Sequence, residues 1–300
     1  MTKITLLDGG TGRELKRIGA PFRQPEWSAL ALIEAPDFVR RVHESYVSAG
    51  ADVLTTNSYA VVPFHIGESR FTSQGPALAA LAGRLARAAA DRAPRSVTVA
   101  GSLPPACGSY RADWFDATRA RPIVAALVTA LRPHVDHWLA ETLSAIEEAE
   151  LAREVVGRDG KPLWISFTVE DGASRDAAAR LRSGQSVAEA VAAAVRLGAA
   201  AVLFNCSQPE VMGAAVSVAR ATLEGLGGAA RAVRIGVYAN AFPPQGGAAE
   251  ANATLLDIRA DLAPPGYLHW AQDWVARGAT IIGGCCGIGP EHIAALRAAL

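Results

Sequence analysis

Cysteine is scarce in this chain: four in 300 residues, at positions 107, 206, 285 and 286. So few thiols, so unevenly spaced, exclude a disulfide framework and fit a reducing compartment, which leaves free thiols or metal ligands. An excess of charge of either sign is also missing, since Lys plus Arg and Asp plus Glu number 29 each. With no basic block and no aromatic stripe between basic residues, the footprint of a nucleic-acid binder or an anionic-membrane binder is absent. Long apolar runs are lacking too. The opening MTKITLLDGG has neither a long apolar stretch nor a small-residue cleavage site, and no uncharged run approaches the roughly 20 residues of a membrane span. The expected setting is cytoplasmic, with small-molecule partners, no nucleic acid and no membrane. Oligomeric state stays open, a homo-oligomer included.

What the sequence has is apolar surface, at 50% of residues, enough for one large core over residues 1–300. Short β-branched or apolar runs alternate with Ala- and Leu-rich stretches of helical period. The runs are residues 4–8, 52–57, 97–102, 135–141, 163–169, 201–205, 234–240 and 279–284. Between them lie segments such as 35–50, with Asp37 in a first turn and Gly50 as a stop, and 186–198, with Ser186 as cap and Gly198 as terminator. Eight strand–helix units predict an α/β fold, a single-domain (β/α)8 TIM barrel. Residues 58–75 and the Pro/Gly-rich 241–266 are over-long for simple loops and read as insertions over the barrel mouth.

The unusual motifs fall where strands end: DGGTG, TTNSY, GSLPP, ET, NCS, YANAF and GGCCG. In a (β/α)8 barrel those ends converge on the face that carries the active site. Cys206 is therefore expected beside Cys285 and Cys286. Three thiols at one mouth make a soft-metal site, for which Zn²⁺ is the expected ion, its tetrahedral shell keeping one position open. Neighbouring residues on a regular strand point to opposite faces, so the glycines around 285 and 286 let the backbone turn both thiols inward. Other uses of the motif are phosphate binding by the glycines, a redox-active vicinal pair, and plain burial of small apolar side chains. Plain burial is the reading for Cys107, and ordinary packing or surface roles for His134 and His137; His43, His65, His269 and His292 show no ligand spacing.

Together LLDGGTGREL, ADVLTTNSY, AGSLPP, LAET, FNC, VYANA and IIGGCCGIGPEHI resemble, in order and across nearly the whole chain, the homocysteine S-methyltransferase family. The resemblance implies a barrel with zinc held by Cys206, Cys285 and Cys286. It also implies Asp8 and Glu141 as the residues that hold the substrate amino group, and Asn240 near the metal, filling its fourth position when substrate is absent. Arg13, where a smaller polar residue is common, and Phe242, where a small one is often found, depart from the pattern on the donor side.

Zinc-dependent transfer of a methyl group to the homocysteine thiol, giving methionine, suits such a site. A free alkyl thiol is mostly protonated at neutral pH, and only its thiolate is a good nucleophile. Eight units occupy the chain, so the donor is expected to be a small onium molecule: S-methylmethionine first, then S-adenosylmethionine, then glycine betaine. Trp27, Tyr59, Phe64, Tyr110, Trp114 and Phe242 are candidates to face its cation. Betaine–homocysteine or selenocysteine methyl transfer, a phosphate-ligand barrel enzyme and a thiol redox protein are the alternatives.

Overall fold

The apolar runs become eight short parallel strands. In the structure, a computed structural model describing residues 3–171, 179–243 and 257–300, these are β1 (Thr5–Leu6), β2 (Val53–Thr55), β3 (Thr98–Leu103), β4 (His137–Leu143), β5 (Leu163–Phe167), β6 (Ala201–Asn205), β7 (Arg234–Tyr238) and β8 (Ile281–Ile282). Each pairs with its sequence neighbour, and β1 pairs with β8. A parallel Leu7–Val53 bridge, with Asp8 N–H bonded to Val53 O, closes the ring between β1 and β2. The expected (β/α)8 barrel is what forms.

Helices cover the outside: α1 (Thr11–Arg17), α2 (Ser28–Glu34), α3 (Pro36–Ala49), α4 (Pro63–Ile66), α5 (Glu68–Asp91), α6 (Ala117–Leu131), α7 (Ile146–Val156), α8 (Val187–Arg196), α9 (Pro209–Leu226), α10 (Pro264–Arg277) and α11 (Pro290–Ala299). Their boundaries follow from local chemistry. Pro36 opens α3, where a missing N–H costs nothing, and Gly50 ends it at φ 105°. Ser186 caps α8 by accepting from Glu189 N–H, while the Glu189 carboxylate accepts from Ser186 N–H.

Strands buried on both faces explain the near-continuous apolar runs. Inside the ring, Leu7, Val53, Ala100, Leu139, Trp164, Leu203, Tyr238 and Ile281 form one cluster; a larger cluster lies between strands and helices. The strand-start end is plugged. His137 and Trp164 stack at 4.2 Å, and Arg234 donates to Thr5 Oγ1, Thr280 Oγ1 and Thr280 O. Among the described residues, only the opposite end is left for a site.

Residues 58–75 are not a long loop. They hold α4 and the first eight residues of α5, which runs through Pro76. Gly75–Pro76 reads as a breaker, but the buried face of Leu78, Ala79, Ala82 and Ala86 holds the helix against its neighbours. Of 241–266, residues 244–256 lie outside the described residues, and the rest contributes a single 3₁₀ turn, Ala260–Leu262, and the start of α10. Among the described residues no helix is long and apolar enough to cross a membrane.

Candidate functional site

A cavity of about 100 Å³ opens at the strand ends, with Asp8, Trp27, Tyr59, Tyr110, Glu141, Thr142, Cys206, Tyr238, Cys285 and Cys286 among its walls. Four non-glycine residues have positive φ among the described residues: Trp27 at 52°, Tyr110 at 67°, Thr142 at 60° and Cys206 at 52°. All four line this cavity. A non-glycine residue in that region is disfavoured by roughly 1–3 kcal/mol and persists only where its surroundings hold it, a pattern concentrated at functional sites.

The three thiols arrive from two directions. Cys206 directly follows β6, and the Cys285–Cys286 pair follows β8 in a turn. Cys285 N–H bonds Ala239 O, Ala241 N–H bonds Cys286 O, and Ile288 N–H folds back to Cys285 O. The turn is pressed against the loop after β1, where a Cβ on Gly10 would lie 2.4 Å from Cys285 O. The three sulfurs consequently lie within 4.8 Å of one another. Tetrahedral bonds of about 2.3 Å from one zinc ion would set them roughly 3.8 Å apart, so the donor set fits such an ion with small side-chain adjustments. Cys107 is buried elsewhere, its Sγ 3.8 Å from Asp116 O, and among the described residues no histidine joins the group.

The thiols perturb one another. Donation from Cys206 and Cys285, with help from the Arg13 charge, favours the Cys286 thiolate and holds its pKa well below the usual thiol value. Cys285 is pushed up by donating to Cys206 and Cys286 and by burial. For Cys206 the Cys285 thiol favours ionisation, but donation to Cys286, burial and the nearby negative charge prevail, at about 12. Protein alone thus supports one thiolate here; a cation is what would let three coexist.

Two carboxylates face the thiols. Asp8 accepts from Thr55 N–H at 2.7 Å and Thr55 Oγ1 at 2.9 Å. Glu141 accepts from Ser102 Oγ at 2.5 Å and Tyr238 OH at 3.1 Å. Burial, against those hydrogen bonds, raises each to about 7, and the Glu141 charge adds to the effect on Asp8. A buried pair of acids so placed is short of positive charge. Ser102 and Tyr238, which orient Glu141, lie in the strand-end motifs GSLPP and YANAF, but nothing in those motifs pairs them with Glu141; a register placing them on neighbouring inward positions would have done so.

Asn240 is buried outside the cavity lining, its N–H on Ser207 O and its Oδ1 accepting from Phe242 N–H. Of the six candidate aromatics, Trp27, Tyr59 and Tyr110 line the cavity, and Tyr238 joins them. Phe64, Trp114 and Phe242 do not. Phe64 packs against His65, Trp114 lies under the Arg111 guanidinium at 3.9 Å, and Phe242 under that of Arg13 at 5.0 Å. The two departures from the family pattern therefore occupy each other.

Comparison with known proteins agrees with this geometry. The family model for homocysteine S-methyltransferase matches residues 5–300. Homocysteine S-methyltransferase of Escherichia coli K12 is 32% identical over 98% of this chain and 94% of its own length. Betaine–homocysteine S-methyltransferase 1 of Rattus norvegicus is 26% identical over 98% of this chain but 71% of its own. The metallated form of the Escherichia coli homocysteine methyltransferase MmuM superposes with a TM-score of 0.75 at 29% identity, covering 99% of this chain and 96% of that one. The chain belongs to the homocysteine S-methyltransferase family.

Proposed function

We propose that the protein moves a methyl group from a small onium donor, S-methylmethionine in preference, to the thiol of homocysteine in a zinc-dependent reaction. The observation that carries the reading is that three thiols and two electron-rich carboxylates share one cavity. Cys206, Cys285 and Cys286 would hold the ion. When bound, zinc supplies the positive charge that keeps the substrate sulfur deprotonated at neutral pH while three thiolates keep it electron-rich.

The chain's own residues do the remaining work. Asp8 and Glu141 take the substrate ammonium, whose charge compensates theirs and restores both as carboxylates. Thr55 and the Ser102–Tyr238 pair fix where those oxygens point. The acceptor sulfur is thereby aimed at the cysteines. Asn240 enters this reading as a neighbour of the ligands, its N–H tied to Ser207 O beside Cys206. The lining rings of Trp27, Tyr59, Tyr110 and Tyr238 offer a cationic donor faces worth about 0.5–2 kcal/mol each, and in-line alignment of sulfur, methyl and leaving group supplies several kcal/mol more.

Among donors, S-methylmethionine is favoured because the short relatives match this chain over nearly their full length, whereas the betaine-using one extends well beyond the match. The test is incubation of the zinc-loaded protein with homocysteine and each donor separately, following methionine by mass spectrometry. Turnover is expected with S-methylmethionine, more slowly with S-adenosylmethionine. Turnover with betaine alone, or only with a methylated cobalamin or folate, overturns the donor assignment.

A further inference from the structure

We propose that the buried Arg182–Asp171 ion pair is a positioning device for Cys206, holding that thiol in place for metal. The proposal rests on the reading of Cys206 as a zinc ligand. Cys206 has φ 52°, a conformation that must be imposed from outside, and the ion pair stands at the centre of what imposes it. The side chains are 5% and 0% exposed for Arg182 and Asp171, with Arg182 Nη2 and Asp171 Oδ2 3.0 Å apart.

Each partner of Arg182 leads to the cysteine or to the two residues after it. Asp171 Oδ1 accepts from Gln208 N–H at 2.8 Å. Arg182 Nε donates to Thr168 Oγ1 at 3.0 Å, and that hydroxyl lies 3.0 Å from Ser207 Oγ. Ser207 has one hydroxyl proton and donates it to Val169 O at 2.8 Å while accepting from Val169 N–H at 3.0 Å, so Thr168, which accepts from Arg182, donates to Ser207. The guanidinium also lies 4.3 Å from the centre of the Tyr110 ring, and Tyr110 OH donates to Cys206 O at 3.2 Å. Residues 206, 207 and 208 are thus gripped one by one.

A buried ion pair is weak as a source of stability, since desolvation offsets most of the attraction. Its use here is geometric. Asp171 and Arg182 belong to the connection after β5, none of whose described residues lines the cavity, so they act through Cys206 and are positioning residues.

The test uses the full-length protein with Asp171→Asn, Arg182→Met, Arg182→Lys and Tyr110→Phe, and Arg234→Met as a half-buried arginine at the other end of the barrel. Zinc affinity is measured by competition with a chromophoric chelator, and the alkylation rate of Cys206 in metal-free protein by peptide mass spectrometry with Cys107 as internal reference. Zinc affinity is expected to fall tenfold or more for Asp171→Asn and Arg182→Met, with partial recovery in Arg182→Lys and a smaller loss in Tyr110→Phe. Cys206 should alkylate several-fold faster relative to Cys107 in the same variants, and neither readout should move in Arg234→Met. Unchanged zinc affinity and alkylation across the set, or equal changes in Arg234→Met, overturns the proposal. Should Asp171→Asn not fold, Arg182→Lys and Tyr110→Phe decide. A wild-type protein that binds no zinc sinks the metal reading, and the alkylation rates then decide alone whether the ion pair holds Cys206.

Discussion

Replacing Glu141 by Gln sets binding against stability. In the free protein this carboxylate is buried, and burial lifts it from 4.5 to about 7, a difference of roughly 3 kcal/mol against the ionised form. A folded pKa above the unfolded one means that the native state holds the extra proton between those values. Stability therefore falls as pH rises from about 4.5 to 7 and stays low above. Glutamine keeps the shape, carries no charge and can still pair with Ser102 and Tyr238, so about 1 kcal/mol is set aside for a poorer hydrogen bond. At pH 8 the metal-free Glu141→Gln protein should be more stable by about 2 kcal/mol, a rise in Tm of about 4 °C for a chain of this size. At pH 5 most of the gain should vanish, because Glu141 is then protonated in the folded wild type. Homocysteine affinity should move the other way, falling about 30-fold or more as the ammonium loses a buried charged partner. Thermal melts at the two pH values and calorimetric titration of homocysteine into zinc-loaded protein provide the check. A lower Tm at pH 8, or an equal rise at both pH values, would refute the argument that Glu141 is held at an energetic cost for the sake of binding.

Elemental analysis should find close to one zinc per chain in the wild type and in Cys107→Ala, and little in Cys206→Ala, Cys285→Ala or Cys286→Ala; full zinc in Cys286→Ala contradicts the ligand set. Chelation should abolish methionine formation and leave the far-ultraviolet circular dichroism near native, because ring closure runs through backbone pairing and not through the thiols. Gly10→Ala should weaken zinc binding at least tenfold with a smaller loss of Tm, since its new methyl would meet Cys285 O 2.4 Å away; zinc affinity equal to wild type argues against a turn held by that contact. Ser186→Ala should lower stability by about 1 kcal/mol in denaturant unfolding and leave turnover unchanged, because it removes only the cap of α8.

The barrel was readable because its strands are buried on both faces, so that runs such as AVLFN and LWISFTV stand out between Ala-rich helices of a different period. Ser186 and Gly50 marked helix ends because their chemistry is local. The stretch after Ser58 misled because Gly75 and Pro76 signal a break locally, while packing of Leu78 and the alanines beyond decides the outcome from a distance. The thiol cluster was visible once Cys206 and the Cys285–Cys286 pair were set on strand ends. What the sequence did not disclose is pairing across the ring: Ser102 and Tyr238 on Glu141, Thr55 on Asp8, Arg13 over Phe242. Those depend on strand register and loop path, which no single segment encodes.

The closure of the ring between β1 and β8 also dates the site within the life of the chain. Tyr46 OH bonds Ile288 O across 242 residues, and bringing such distant segments together costs about 5 kcal/mol in loop entropy before any contact is regained. A ribosome delivers Cys206 well ahead of its two partners, so during synthesis the first thiol waits as an isolated, ordinary cysteine. Only when the last strand docks beside the first do the three meet. The thiol cluster proposed to hold zinc therefore does not exist until the ring closes, and a metal bound there would be captured only after closure.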